Sequence, residues 1–236
     1  MRFELVDIGG WSYYTLPELK EKGLIHGFFT RSSPSLSPYQ EEEREAFLQY
    51  FGLKDLIILR QVHGDEVHII RQGVRPVAGD GMILMEKGIA GVIKTADCLP
   101  VIIAAPNHQV ASIVHAGWRG TLKGIVVKAI EKMVGLGVEK EGMIAILGPS
   151  IGPCCYKVGQ EILTRFIGEG LSGDGFIERG GALFFDIREA NRLSLNAQGV
   201  KRVLDIGLCT FCNDHLFYSY RRGDKDRRHI NFVSII

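Results

Sequence analysis

Residues 89–134 read IAGVIKTADCLPVIIAAPNHQVASIVHAGWRGTLKGIVVKAIEKMV. Three short β-branched runs stand in succession, at 89–94, 100–105 and 110–114, each bounded by turn-forming residues. Runs of this length and composition read as buried strands. The period then changes. Apolar residues at 122, 125, 126, 129, 130, 133 and 134 follow the 3.6-residue repeat and predict a helix over 121–134. Thr121 stands at its start and Gly135 past its end.

Outward from this segment, further strands are expected at 56–59, 67–70 and 143–147, and helices over 41–51, 160–167 and 187–197. From Val203 onward short strands mix with turns. The Pro- and Ser-rich stretch at 31–38 reads as a surface loop too short to separate domains. Strands dominate the middle of the chain, and no regular strand–helix–strand rhythm appears. The expectation is therefore one α+β domain over residues 1–236 with a mixed sheet, not a doubly wound nucleotide fold.

Composition bounds the function classes. The 236 residues carry 28 Lys+Arg and 27 Asp+Glu, a net charge of +1, which argues against broad electrostatic capture of nucleic acid or anionic membrane. Hydrophobic residues make up 46% and charged residues 23%, the balance of an ordinary globular protein. A chain of this length buries enough surface to hold a core without disulfides. No apolar run approaches the ~20 residues a membrane helix needs, and the amino-terminal stretch lacks a signal-like apolar core. With five cysteines, an odd count, the reading is a cytoplasmic protein whose thiols are fillers, metal ligands or nucleophiles. The 29 glycines are an excess that implies tight turns and close backbone approaches.

Three segments place unusual residues at strand ends: Gln61-Val-His63-Gly, Thr95-Ala-Asp97-Cys98-Leu-Pro100 and Val114-His115-Ala-Gly117-Trp118-Arg119-Gly120. Two imidazoles and one thiol from three such ends would form a His₂Cys set, and three protein ligands with an open position are the pattern of catalytic zinc. The spacing is long, with 34 residues between His63 and Cys98 and 16 between Cys98 and His115. Each residue alone is also what an ordinary loop histidine or a buried cysteine would be. Only their joint occurrence favours the metal.

Asp97 is the natural proton-transfer partner beside Cys98, or else a turn aspartate. Arg119, directly before the expected helix, suits an anion, or else is a surface arginine. The loop Gly148-Pro-Ser-Ile-Gly152-Pro-Cys154-Cys155-Tyr156 lacks the Walker pattern and reads as a pocket wall or backbone anion cradle. Adjacent Cys154 and Cys155 are not expected to aim at one metal. Cys209-Thr-Phe-Cys212 is a CxxC without a second pair or a redox context, and is read as structural. The closing basic run, Arg221, Arg222, Lys225, Arg227 and Arg228, is interleaved with Asp224 and Asp226 and reads as a solvated turn.

Taken together, these segments, with His26-Gly-Phe-Phe-Thr-Arg31 and Tyr218-Ser-Tyr-Arg-Arg222, resemble the YfiH-like family. Its older name is the multicopper polyphenol oxidase, or laccase-like, domain family. The match runs in order from about residue 24 to the end of the sequence. The resemblance implies a sandwich-like mixed β fold flanked by helices, related to bacterial toxin deamidases. It implies a zinc-dependent enzyme that phosphorolyses adenosine, inosine, guanosine and methylthioadenosine and deaminates adenosine, with zinc on His63, Cys98 and His115. On this reading Arg31, Trp118 and Arg119 bind substrate, Arg31 and Arg119 hold the phosphate, and Asp97 assists proton transfer. The partners would be purine nucleosides and phosphate, for a monomer or homodimer without nucleic-acid or membrane partners. Ser32-Ser33-Pro34-Ser35 stands where the family has a Gly-Gly-Ser loop, and Asp226-Arg227-Arg228-His229 where it has a Gly-Arg element.

Two rival readings stay open. The older family name implies copper and phenol oxidation, and His₂Cys with a weak methionine is a blue-copper set. A laccase also needs a His-rich trinuclear cluster, and the remaining histidines (26, 68, 108, 215, 229) are scattered without a His-x-His pair. The other rival makes Cys98 a nucleophile with His115 as its base. Gly27, Gly64, Gly117, Gly120, Gly148 and Gly152 flank the candidate residues and suit backbone folded tightly around a small pocket.

Overall fold

The computed structural model describes residues 2–34, 36, 41–71 and 78–236. Part of the expected 31–38 loop, including Ser35, lies outside the described residues. Two six-stranded sheets carry the architecture. The first runs in the order β1 (Glu4–Ile8), β2 (Trp11–Thr15), β3 (Leu24–Phe29), β15 (His229–Ile235), β7 (Ile89–Thr95), β4 (Asp55–Ile58). The second runs β14 (Arg202–Asp205), β10 (Ile144–Leu147), β8 (Leu99–Ala105), β9 (Val110–Ala116), β6 (Gly81–Leu84), β5 (Val67–Ile70). A small third sheet holds β11 (Lys157–Val158), β13 (Ala182–Phe185) and β12 (Phe176–Arg179).

Among the described strands, the parallel pairs lie at three edges of the large sheets, β4 with β7, β5 with β6 and β10 with β14. The pairings between the inner strands are antiparallel. This is why no strand–helix–strand rhythm was visible. The sheets are mixed, as expected.

The sheets stack face to face. Phe28, Ile93 and Val233 from the first sheet pack with Met82, Ile102, Ile113 and Ile146 from the second. On the outer face of the first sheet, Trp11, Phe29 and Phe232 pack against Phe47 of α2 (Glu41–Phe51), forming an aromatic cluster. On the outer face of the second, Val101, Ile103 and Val114 meet Ile125, Ala129, Ile130 and Met133 of α4 (Ile125–Gly135). Phe166 of α5 (Gln160–Gly168) and Leu195 of α6 (Ile187–Ala197) complete that side. The result is a four-layer α+β sandwich. Both faces of β8 and β9 are covered, so all seven residues of each are buried and each reads as a continuous apolar run.

The expected helix over 121–134 is two helices. Residues Trp118–Leu122 form α3, the chain turns at Lys123 and Gly124, and α4 follows. Gly124 takes a left-handed φ of 71° and redirects the chain. The expected 187–197 helix coincides with α6, where the Asp186 carboxylate accepts from the backbone N–H groups of Arg188 and Glu189.

Candidate metal centre and its cavity

The chain crosses from the first sheet to the second twice, between β4 and β5 and between β7 and β8. The first crossing carries His63 and the second Asp97 and Cys98. His115 comes from β9, where it pairs in register with Pro100 of the neighbouring strand. These chain ends share one rim of the sandwich. There the ligating atoms of His63, Cys98 and His115 lie within 4.8 Å of one another. The two imidazole rings sit edge to face, 4.9 Å apart.

Both crossings are held in unusual backbone conformations. His63 and Asp97 have φ of 56° and 88°, a region that residues with a Cβ seldom occupy. Asp80, just before β6, stabilises the first. Its fully buried carboxylate accepts from the backbone N–H groups of Val62 (3.1 Å), His63 (3.0 Å) and Gly64 (2.7 Å). The same carboxylate accepts from His115 Nδ1 at 2.7 Å. That bond leaves Nε2 of His115 for a metal, and a carboxylate behind a ligating histidine is the usual supporting arrangement.

The rim admits no extra side chain. A Cβ on Gly117 would stand 3.2 Å from Cys98 Sγ and 3.4 Å from the His63 ring. A Cβ on Gly120 would stand 2.8 Å from the Gly64 carbonyl oxygen.

Charge is concentrated here. Burial opposes ionisation of Cys98, yet His115 and His63 bring its thiol down to about 6. Burial likewise opposes a charged His115, but Cys98 and Asp80 raise it to about 9. A thiolate, two imidazoles and a supporting carboxylate facing a cavity make a borderline-soft donor set with room for a further ligand. That set suits zinc at a catalytic position.

The cavity has a volume of about 590 Å³, within the usual range for small-molecule sites. The three candidate ligands, Asp97, Trp118 and Arg119 all line it. Arg31 does not. Its guanidinium lies over the Tyr218 ring, 4.9 Å from the centroid, and donates to the Asp214 carbonyl. The cations that face the cavity are Arg119, Arg221, Arg228 and Lys94.

The closing basic run is a turn with Arg221, Lys225 and Arg227 exposed, as expected, but it is not only that. Arg221 and Arg228 are cavity wall, and Arg222 donates to the carbonyls of Thr210, Phe211 and Phe217 and to Asp224. Asp97 is held by the closing loop. Its carboxylate accepts from Thr210 Oγ1 (2.6 Å), Ser219 Oγ (3.0 Å) and the Arg221 N–H (2.8 Å), tying the closing loop to the Cys98 turn.

Sequence reasoning missed Asp80, Arg221, Arg228 and Tyr220. Asp80 had one legible signal, an acidic residue between Gly79 and Gly81 directly before an apolar run. The Gly148–Tyr156 loop does form cavity wall, through Ile151 and Tyr156. Cys154 and Cys155, however, do not point apart. Their Sγ atoms and those of Cys209 and Cys212 all lie within 4.8 Å of one another. Among the described residues these two clusters are the groupings of His, Cys, Asp and Glu close enough to share an ion.

Residues 39–236 match the family described as multi-copper polyphenol oxidoreductase laccase. A purine nucleoside phosphorylase from Deinococcus radiodurans is 37% identical over 226 residues, 88% of each chain. The crystal structure of YlmD from Geobacillus stearothermophilus superposes with a TM-score of 0.86 at 25% identity, covering 99% of this chain and 98% of the other. The hypothetical protein YfiH from Bacillus licheniformis has the same TM-score at 23% identity, covering 99% of both chains, and so bears on the fold. With the ordered motifs, the four-layer fold and the His–Cys–His rim all in one chain, this protein belongs to the YfiH family of multi-copper polyphenol oxidoreductase laccase-like proteins.

Proposed function

We propose that this chain is a zinc-dependent purine nucleoside phosphorylase. The observation that carries the proposal is a single cavity combining the His63–Cys98–His115 donor set with aromatic faces and several cations. Trp118, Tyr156 and Tyr220 offer flat surfaces for a purine. Arg119, Arg221 and Arg228 offer guanidinium forks for phosphate. A relative named purine nucleoside phosphorylase, 37% identical over most of both chains, supports the same reading.

In phosphorolysis a phosphate oxygen bonds to C1′ of the ribose as the bond from C1′ to the purine nitrogen breaks. The electron pair leaves with the base, which takes a proton, and the products are purine and ribose 1-phosphate. The chain's contribution is orientation and charge. Arg221 is held over Tyr156, 5.3 Å from the ring centroid, and Arg119 over Trp118 at 4.5 Å. Each pair aligns a phosphate-binding group with a base-stacking group. Burial holds the Tyr156 phenol protonated well above its usual range, so its hydroxyl remains a donor for the leaving purine. Asp97, which accepts from three donors, positions Arg221 and the closing loop. A zinc ion on His63, Cys98 and His115 would supply Lewis acidity and a water of lowered pKa beside the substrate. Such a site also accounts for a second reaction within the proposal, hydrolytic loss of ammonia from adenosine.

The copper reading finds less support. Of the other histidines, buried His26 accepts from the Leu16 N–H, buried His229 donates to the Thr95 carbonyl, and His68 donates to that of Ala78. None of the five lines the cavity or joins either cluster.

The test incubates zinc-loaded protein with adenosine, inosine, guanosine or methylthioadenosine, with and without phosphate. The expected products are free base and ribose 1-phosphate only when phosphate is present, with inosine from adenosine in either case. Inactivity across the panel would sink the proposal. Arg221→Ala should raise KM for phosphate at least tenfold. Cys98→Ser should lose the ion held with His63 and His115, whereas a variant that keeps an ion at those two histidines would make Cys98 a nucleophile with His115 as base.

A further inference from the structure

Four cysteines from two segments far apart in sequence converge beside the cavity wall. Cys154 and Cys155 come from the loop after β10, and Cys209 and Cys212 from the segment after β14. All four Sγ atoms lie within 4.8 Å of one another, with Cys212 3.3 Å from Cys155 and 3.6 Å from Cys154. Four thiolates around one zinc ion, at Zn–S distances of about 2.3 Å, have sulfur–sulfur edges of about 3.8 Å. The cluster therefore has the size of a single tetrahedral ion, and not of a polynuclear iron–sulfur group spanning several metals.

The backbone is arranged for thiolates. The N–H of Gly152 donates to Cys209 Sγ at 3.2 Å. Amide donors aimed at sulfur spread the negative charge that four metal-bound thiolates would carry. Arg222 grips the turn between Cys209 and Cys212 through the carbonyls of Thr210 (3.0 Å) and Phe211 (3.1 Å). Ser150 and Cys209 form a parallel bridge that brings the two cysteine pairs together. Cys154 and Cys212 are exposed, so an ion could enter without unfolding.

We propose that Cys154, Cys155, Cys209 and Cys212 form a second, structural metal site that takes one zinc-class divalent ion. Binding releases the four thiol protons to solvent and changes no oxidation state. The site staples the loop carrying Ile151 and Tyr156 to the segment carrying Thr210, which in turn donates to Asp97. It is chemically distinct from the His63–Cys98–His115 site. Four thiolates leave no position for substrate, so its role is to hold the cavity wall.

The test uses the full chain produced with added zinc and purified under thiol reductant without chelator. Elemental analysis should find about one thiolate-held zinc per chain that persists in Cys98→Ser and is lost in Cys212→Ser and in Cys209→Ser. Because a cluster variant can fail to fold, cobalt is also loaded into Cys98→Ser, which leaves the four cysteines intact. Its spectrum should show the intense near-ultraviolet charge-transfer absorption of a four-thiolate site. A folded Cys98→Ser protein that takes up neither zinc nor cobalt would overturn the proposal. So would unchanged zinc content in Cys209→Ser and Cys212→Ser, or an intact mass showing a Cys155–Cys212 or Cys154–Cys212 disulfide in the reduced, zinc-replete chain. None of these readouts depends on the reaction at the other site.

Discussion

Asp80 supports the rim from two directions at once. Its carboxylate accepts three backbone N–H groups from the His63 loop and holds Nδ1 of His115, while its own residue is fully buried. Replacing it with Asn keeps the volume but removes the charge and places an amide N–H group among donors. Supporting groups of this kind are worth about 10–100-fold in metal affinity. Asp80→Asn should therefore weaken the rim site by that factor in a chelator competition, and affinity unchanged within twofold would refute the role. Gly117 acts by absence. An added methyl group would press on Cys98 Sγ and the His63 ring, and the first is tied to β8 and the second to a strained turn. Gly117→Ala should lower the metal content of the rim site while far-ultraviolet circular dichroism stays that of the parent. The candidate ligands were legible because Cys and His at strand ends are rare and chemically specific. Asp80 and Arg221 were less so, because their roles depend on which distant residues face them.

At the scale of elements, burial divides α4 cleanly. Ile125, Val126, Ala129, Ile130 and Met133 are buried against the second sheet, whereas Val134 is 39% exposed. Ile130→Ala should cost about 2–5 kcal/mol in urea unfolding, and Val134→Ala under about 0.5 kcal/mol. Equal costs would mean that α4 does not pack as described. The periodicity of this segment was plain, but the break at Gly124 was not, because an apolar stripe continues across it. Strands β8 and β9 were legible as apolar runs because both of their faces are covered. Central strand β15, HINFVSI, was hidden by its polar residues. Each of those is buried with a partner: His229 donates to the Thr95 carbonyl, Asn231 to Thr95 Oγ1 and Ser234 to the Ile89 carbonyl. No local pattern reveals that a polar residue will be satisfied by a strand about 135 positions away.

For the whole molecule, two buried imidazoles set a response to acid. Burial brings His26 and His229 down to about 3. In the unfolded chain both return to about 6.5. Between those limits the unfolded chain binds protons that the folded chain refuses. Stability from this source is complete above about pH 6.5 and declines as the pH falls towards 3, by about 1.4 kcal/mol per pH unit for each histidine. Urea midpoints measured at about pH 7, 5 and 4 should fall steadily. A midpoint that rises over this range would contradict the neutral, buried state of both rings. The layers that bury these histidines also hold the rim, since β15 lies between β3 and β7 and so connects His26, Thr95 and the turn bearing Cys98.

The sequence by itself determined the α+β class, half of the inner strands, the amphipathic helices and the three candidate metal ligands. Each of these is written in local terms, as a period of two or 3.6, a run without charges, or a reactive side chain at a strand end. Only the tertiary structure decided the rest: that two sheets stack between helices, that Asp80 stands behind His115, and that Arg221 and Arg228 line the cavity while Arg31 does not. It also decided that four cysteines, read separately as structural, share one small volume. The physical reason is that contacts between residues tens of positions apart depend on sheet order and on where the chain crosses between layers. Local propensity carries no information about either.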